Sequence, residues 1–190
     1  MEQITLLINA KGDLDLEVGA ELRRTTELAW VKSMERSTAF LGAVLAVAHP
    51  ATYETGMNCV KAIGESKNVA KTENLEDLMA VWSTPYTTTS LMSNRDSPLH
   101  RDVGASPTCM DLLVSVGTYT SGEFLVPGLG LRLWYRPGTV IGLLGRAVRH
   151  GAVAFGGRLV FAQYLRESVL EALELPAPDW VFVQDLLQTQ

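Results

Sequence analysis

The sequence predicts an α+β fold, with helices gathered in the first half and strands in the rest. Three observations predict it. Residues recur at helical spacing across the first third, as Leu22, Thr26, Trp30 and Met34 and then Phe40, Leu41, Val44, Leu45 and Ala48. From Thr87 onward short apolar runs of strand length take over, punctuated by Pro-Gly pairs at 127–128 and 137–138. The chain has 190 residues, 47% hydrophobic and 19% charged, which fits one folded domain with a substantial core and excludes a disordered chain.

Taken in order, residues 3–17 read as a small hairpin. Ile4 to Asn9 alternates poorly, but Lys11-Gly12-Asp13 marks a turn before Leu14 to Glu17. Residues 19–48 read as helical with a break near 32–36. His49-Pro50 ends that element, because proline disfavours a helical residue before it. Residues 51–64 suggest another helix, since Tyr53, Met57, Val60 and Ile63 would share a side and Gly64 is placed as its stop. The polar stretch 65–74 is the best candidate for a mobile loop, and 75–82 for a short helix. Strands are expected at 87–94, 98–103, 111–119, 123–126, 131–135, 139–145, 148–153 and 158–166. A tail segment starts at Leu170, and Pro176-Ala177-Pro178 separates it from a final stretch, 180–187. There is no internal repeat and no low-complexity tract.

The chemistry concentrates in His100-Arg101-Asp102, followed by His150 and then Arg158. The chain has three histidines, and two of them fall in this constellation. In an extended strand residues i and i+2 project from one face, so His100 and Asp102 can point at one ion. His150 must come back to them through the fold. Two imidazoles and one carboxylate fill one face of an octahedral Fe(II), leaving positions for a bidentate 2-oxoacid and dioxygen. The far carboxylate of such an acid needs a cation that is always charged, a role Arg fills better than Lys. Arg158 opens the apolar run 158–166 after Gly156-Gly157, which reads as a tight connection. In a strand Arg158, Val160, Ala162, Tyr164 and Arg166 share one face, and Leu159, Phe161, Gln163 and Leu165 the other. Two arginines and a tyrosine beside a candidate iron make an anion pocket. Each signal alone is weak, because most H-x-D triplets are surface loops or turns; their order and flanks give them weight together.

The stretch Ser93-Asn-Arg-Asp-Ser-Pro-Leu-His-Arg-Asp102 resembles the iron-binding segment of fungal, transposon-associated members of the TET/JBP dioxygenases. The resemblance continues through Asp111 to Tyr119, Leu125 to Leu133, Tyr135-Arg-Pro-Gly-Thr-Val140, Gly145 to Gly151 and Tyr164 to Val169. It covers roughly residues 90–170. It implies a double-stranded β-helix (cupin-like jelly roll) that uses Fe(II), 2-oxoglutarate and O2 to oxidise the methyl group of 5-methylcytosine or thymine in DNA. On that reading residues 1–82 are an N-terminal hairpin and helical buttress, 83–169 the β-helix core and 170–190 a tail. His100, Asp102 and His150 match the family's metal ligands and Arg158 its 2-oxoglutarate anchor. Val160 departs from relatives that carry a small hydroxyl residue there, so one hydrogen bond to the cosubstrate is either missing or supplied elsewhere. The connection from His150 to Arg158 is also short beside animal relatives.

Other residues keep two readings. Asn94 and Arg95 serve either cosubstrate and substrate or a strand-end salt bridge to Asp96 or Asp102. Asp111 either faces the pocket or begins its strand. Tyr164 lines the 2-oxoglutarate pocket or packs. Arg166 makes a second anion contact or a surface pair with Glu167 or Glu171. Trp82 and Trp134 stack a flipped base or fill a core, and His49 is expected to cap a helix end. The net charge of −5 argues against casual affinity for nucleic acid. Arg95, Arg101, Arg132, Arg136, Arg146, Arg149, Arg158 and Arg166 nevertheless make the segment with the site locally basic, while acids cluster in 2–35, 65–77 and 167–185. Two cysteines, Cys59 and Cys109, form neither a zinc pattern nor a disulfide framework. With no signal peptide or membrane span expected, the chain reads as soluble and intracellular, nuclear if its substrate is DNA and cytoplasmic otherwise. Three functions remain open: a dioxygenase acting on 5-methylcytosine in DNA, the same chemistry on RNA, protein or a small molecule, and a non-catalytic barrel that only binds.

Overall fold

In the computed structural model, residues 3–11, 15–19, 25–65 and 75–180 are described. Residues 66–74 of the loop expected at 65–74, the hairpin tip at Gly12 and Asp13, and residues 181–187 of the final stretch lie outside them, while Glu65 closes a helix. Two strands, β1 (Gln3–Lys11) and β2 (Asp15–Val18), pair antiparallel. Four helices follow: α1 (Thr25–Ser33), α2 (Glu35–Ala48), α3 (Pro50–Glu65) and α4 (Leu75–Val81). The expected break falls at Met34, between α1 and α2. Proline opens α3, where its missing N–H needs no partner. His49 sits between α2 and α3 as a cap: its Nδ1 accepts from the Thr52 N–H at 3.2 Å.

From residue 88 the chain is built of strands: β3 (Thr88–Ser93), β4 (Ser97–His100), β5 (Asp111–Gly117), β6 (Ser121–Val126), β7 (Leu131–Trp134), β8 (Val140–Leu143), β9 (His150–Phe155) and β10 (Arg158–Tyr164). A short helix, α5 (Glu167–Ala172), ends the regular structure. The strands form two antiparallel sheets, one of six in the order β2-β1-β3-β10-β5-β8 and one of four in the order β4-β9-β6-β7. The N-terminal hairpin thus extends the large sheet through β1 against β3.

Side-chain alternation on β5 and β10 sets the layers. Leu113 and Val160 face inward and meet Phe124, Val126 and Ala152 of the small sheet, with Tyr135, in one apolar cluster. Leu112 faces outward into a second cluster with Leu41, Leu45, Cys59, Ile63 and Leu78 of the helices. Phe161 stacks on Trp30 of α1, ring centroids 6.4 Å apart. Helices therefore cover the outer face of the large sheet, and the two sheets close on each other. This is a jelly-roll double-stranded β-helix with a helical buttress, the fold that the resemblance implies. No helix among the described residues is long and apolar enough to cross a membrane.

Two local expectations need correction. The strand expected at 98–103 ends at His100. Asp102 lies in the following turn, where its N–H donates to the Gly145 carbonyl at 3.1 Å, outside any ladder. The glycines at 156–157 do not join a paired hairpin, because β9 belongs to the small sheet and β10 to the large one. They form a corner that switches sheets, with Gly156 at φ 105, where a side chain would be strained. The register of β4 against β9 also shifts between Ser97, opposite Ala152, and His100, opposite His150. Three steps along β4 match two along β9, so β4 carries an extra residue, the mark of a bulge.

Candidate active site

The shifted register sets His100 directly across from His150, with ring centroids 4.5 Å apart. The turn after β4 brings the Asp102 carboxylate between them, 3.2 Å from His100 Nε2 and 3.4 Å from His150 Nε2. One ligand atom from each of the three lies within 4.8 Å of the others, the one such group among the described residues. Ligands on one face of an ion with bonds of about 2.1 Å sit roughly 3 Å apart, close to these separations.

The imidazoles are oriented alike. His100 Nδ1 lies 2.8 Å from the Pro98 carbonyl and His150 Nδ1 lies 3.0 Å from that of Val148. A carbonyl only accepts, so each Nδ1 carries the proton and each Nε2 presents a lone pair to the centre. Burial lowers the His150 pKa, against the raising pull of the Val148 carbonyl and Asp102, and so favours the neutral form a metal needs. His150 also stacks on Phe124 at 5.6 Å. Its side chain is 3% exposed and that of His100 43%, so one imidazole forms the floor and the other the rim.

These residues open into a cavity of about 490 Å³, within the usual range of ligand pockets. The inward face of β10 forms one wall, and Arg158, Val160, Ala162, Tyr164 and Arg166 all line it, as strand alternation predicts. Arg158 is buried. Its Nη2 donates to the Arg95 carbonyl, its guanidinium lies 5.7 Å from the Tyr135 ring centre, and its Nη1 is buried without a hydrogen-bond partner. A buried, unpartnered guanidinium nitrogen in a cavity fits a carboxylate ligand. The donor set of two neutral imidazoles and a carboxylate fits Fe(II) equally well.

The residues with two readings divide. Arg95, Asp111, Tyr164 and Arg166 line the cavity together with Arg101. Asn94 does not; its Oδ1 accepts from the Arg158 backbone N–H at 2.8 Å, and its own N–H donates to the Arg158 carbonyl. It holds the anchor's backbone from a left-handed conformation, φ 48, that asparagine tolerates. Asp111 Oδ2 accepts from the Gly145 N–H at 3.1 Å. Burial, and then the Asp102 charge, hold the Asp111 carboxyl well above its ordinary range. Trp82 packs on the helical side, its Nε1 donating to the Tyr86 carbonyl at 3.0 Å. Trp134 stands 69% exposed on β7 beneath the Arg136 guanidinium, away from the cavity lining.

Three participants were not singled out from sequence. Gly145 ties Asp102 to Asp111 through its peptide, Phe124 backs His150, and Tyr135 underlies Arg158. Tyr135 and Gly145 fall inside the quoted motifs, which was their one signal; Phe124 had none beyond its inward strand position.

A family described as the oxygenase domain of the 2OGFeDO superfamily, Tet_JBP, matches residues 20–167. Among solved structures, NgTET1 in complex with 5mC DNA is similar over the whole of this chain and 69% of its own. The identity is 13% and the TM-score 0.64, a likeness of fold. No curated protein gives a significant match.

Proposed function

The chain belongs to the Tet/JBP family of 2-oxoglutarate- and Fe(II)-dependent dioxygenases, and we propose that it oxidises the methyl group of 5-methylcytosine in DNA. One observation carries the reading: His100, Asp102 and His150 converge on the cavity whose wall presents the unpartnered Nη1 of Arg158. The family membership and the 5mC DNA named for the similar NgTET1 structure support the choice of substrate.

Iron, 2-oxoglutarate and O2, when bound, supply the oxidation of a C–H bond. His100, Asp102 and His150 would hold the metal. Arg158 would take the distal carboxylate of the cosubstrate, and Tyr164 would line its pocket. Val160, Ala162 and Leu113 keep that end of the cavity apolar, which strengthens the ion pair and limits water. A base in duplex DNA must leave the stack to reach the site. Arg95, Arg101 and Arg166, which line the cavity, would be the cations that meet it and its phosphates. Asp111 is assigned to holding the Gly145 peptide, and Asn94 to holding the Arg158 backbone, in preference to substrate contact. A nuclear location goes with this reading.

A specific observation favours a second substrate class. The net charge is −5, and three arginines of the basic segment are engaged locally: Arg132 with Glu123, Arg146 with Glu167 and Arg136 on Trp134. That charge pattern suits a protein or a small molecule, which brings few or no phosphates to neutralise. Mass spectrometry of methylated and unmodified oligonucleotides after incubation with Fe(II) and 2-oxoglutarate separates the two. Oxygen gained by the methylated strand alone supports 5-methylcytosine; succinate formed while both strands stay unchanged refutes it. Asp102→Ala is expected to abolish succinate formation in either case, and retained turnover would refute the ligand assignment.

A further inference from the structure

A dicarboxylate seated on Arg158 meets an incomplete cradle. A guanidinium carries two N–H bonds on each Nη, and here one N–H of Nη2 is committed to the Arg95 carbonyl while Nη1 has no partner. That leaves Nη1 facing a carboxylate with about four lone-pair sites. Among the cavity-lining residues beside it, Val160 and Ala162 of β10 and Leu113 of β5 carry no donor, and Ser90 of β3, across from Ala162, already has a partner. A desolvated carboxylate has more lone pairs than Arg158 can satisfy from one side, so a further donor strengthens its hold.

Tyr135 supplies the chemistry. It is 1% exposed, it lines the cavity, its ring lies beneath the Arg158 guanidinium, and its hydroxyl is buried without a hydrogen bond of standard geometry. Buried phenols are normally satisfied, so an orphan in a ligand cavity points to a ligand. Neighbouring hydroxyls are already committed. Tyr119 donates to the Tyr135 backbone carbonyl at 2.7 Å, and Ser115 Oγ lies 2.6 Å from the Tyr119 hydroxyl. These contacts fix the backbone of Tyr135, which follows edge strand β7; its side-chain hydroxyl has Ser115 near it but no hydrogen bond of standard geometry. Burial pushes this phenol up, and the Tyr119 phenol adds to it, while the Arg158 guanidinium and the nearby Ser115 hydroxyl pull it back. It is therefore a donor at neutral pH.

We propose that Tyr135 donates its phenolic proton to the distal carboxylate of 2-oxoglutarate and forms, with Arg158 Nη1, a two-residue anion site. The assignment rests on the reading of the cavity as the cosubstrate pocket. Tyr135 is then a binding residue that selects a dicarboxylic 2-oxoacid over a monocarboxylic one.

The test is anaerobic calorimetry of the Fe(II)-loaded protein with 2-oxoglutarate and with 2-oxopentanoate, which has a methyl group in place of the distal carboxylate. Tyr135→Phe keeps the ring under Arg158 and removes the donor. It should weaken 2-oxoglutarate binding about tenfold, the scale of one hydrogen bond to a charged group, and leave 2-oxopentanoate binding unchanged. Equal losses for both acids, or no loss for either, would overturn the proposal while leaving the pocket assignment intact. A wild-type protein with no preference for 2-oxoglutarate over 2-oxopentanoate would overturn the pocket assignment, and the proposal with it. Should the variant fail to fold, Tyr164→Phe gives an independent readout, because it removes the other phenol that lines the cavity. In that protein 2-oxoglutarate should produce a red-shifted tyrosine difference band that 2-oxopentanoate does not. The same spectrum with both acids would overturn the assignment.

Discussion

A methyl group added at Gly145 would overlap Asp102 Oδ2 and Asp111 Oδ2 at once, and the same glycine bonds both residues through its peptide. Gly145→Ala must therefore push both carboxylates aside. The expected result is a loss of metal affinity of about 10–100-fold, the usual cost of disturbing a ligand's support. Competition against a fluorescent chelator measures it, and an unchanged affinity would show that the carboxylates give way freely. At this scale the sequence was most legible where residue chemistry is distinctive. His100, Asp102, His150 and Arg158 could be picked out because few side chains bind iron or anchor a carboxylate. Gly145 and Tyr135 could not, since their parts depend on which distant peptide or guanidinium arrives beside them. Asn94 shows the converse: near the site in sequence, its side chain serves the backbone of Arg158.

Among elements, the junction of α2 and α3 carries a titratable link to the barrel. The Met110 N–H donates to Thr52 Oγ1 at 3.0 Å, and Thr52 Oγ1 lies 3.0 Å from His49 Nδ1. With its lone pairs facing Met110, the Thr52 hydroxyl gives its proton to His49, so Nδ1 must be bare. Burial lowers the His49 pKa below its ordinary 6.5, against the raising effect of a backbone hydrogen bond. A depressed folded-state value means that stability is present above 6.5 and is lost as pH falls through that lower value. Melting temperature should therefore drop from about pH 7.5 to about pH 5. The drop should be smaller in His49→Asn, whose side-chain oxygen accepts at any of these pH values. Equal drops would remove His49 from the account. The helices, their break at Met34 and most strands followed from periodicity and proline. Strand ends did not, because the point where β4 stops is set by the Gly145 carbonyl capturing the Asp102 N–H.

Across the whole molecule, the candidate ligands and the anchor belong to different layers. His100 and His150 stand on β4 and β9 of the small sheet, and Arg158 on β10 of the large one. A cosubstrate that chelates the metal and reaches Arg158 therefore ties the sheets together. Ligand binding stabilises by mass action, about 2.7 kcal/mol at a hundredfold excess over Kd. Mn(II) with 2-oxoglutarate should raise the melting temperature by more than the two separate shifts combined. Scanning calorimetry measures this, and strictly additive shifts would argue against one ligand spanning both layers. That α+β layering was readable from composition and pattern, whereas which sheet each strand joins was not: the glycine corner looks like a hairpin turn until its strands are seen in separate sheets.

The extra residue in β4 has a consequence for how such a site can be lost or gained. Removing one position between Ser97 and His100 would leave two steps on each strand, so the ladder would close without the bulge and the rim imidazole would stay across from His150. Substitutions in the triad, more than a one-residue deletion in this strand, would then separate working copies from silent ones.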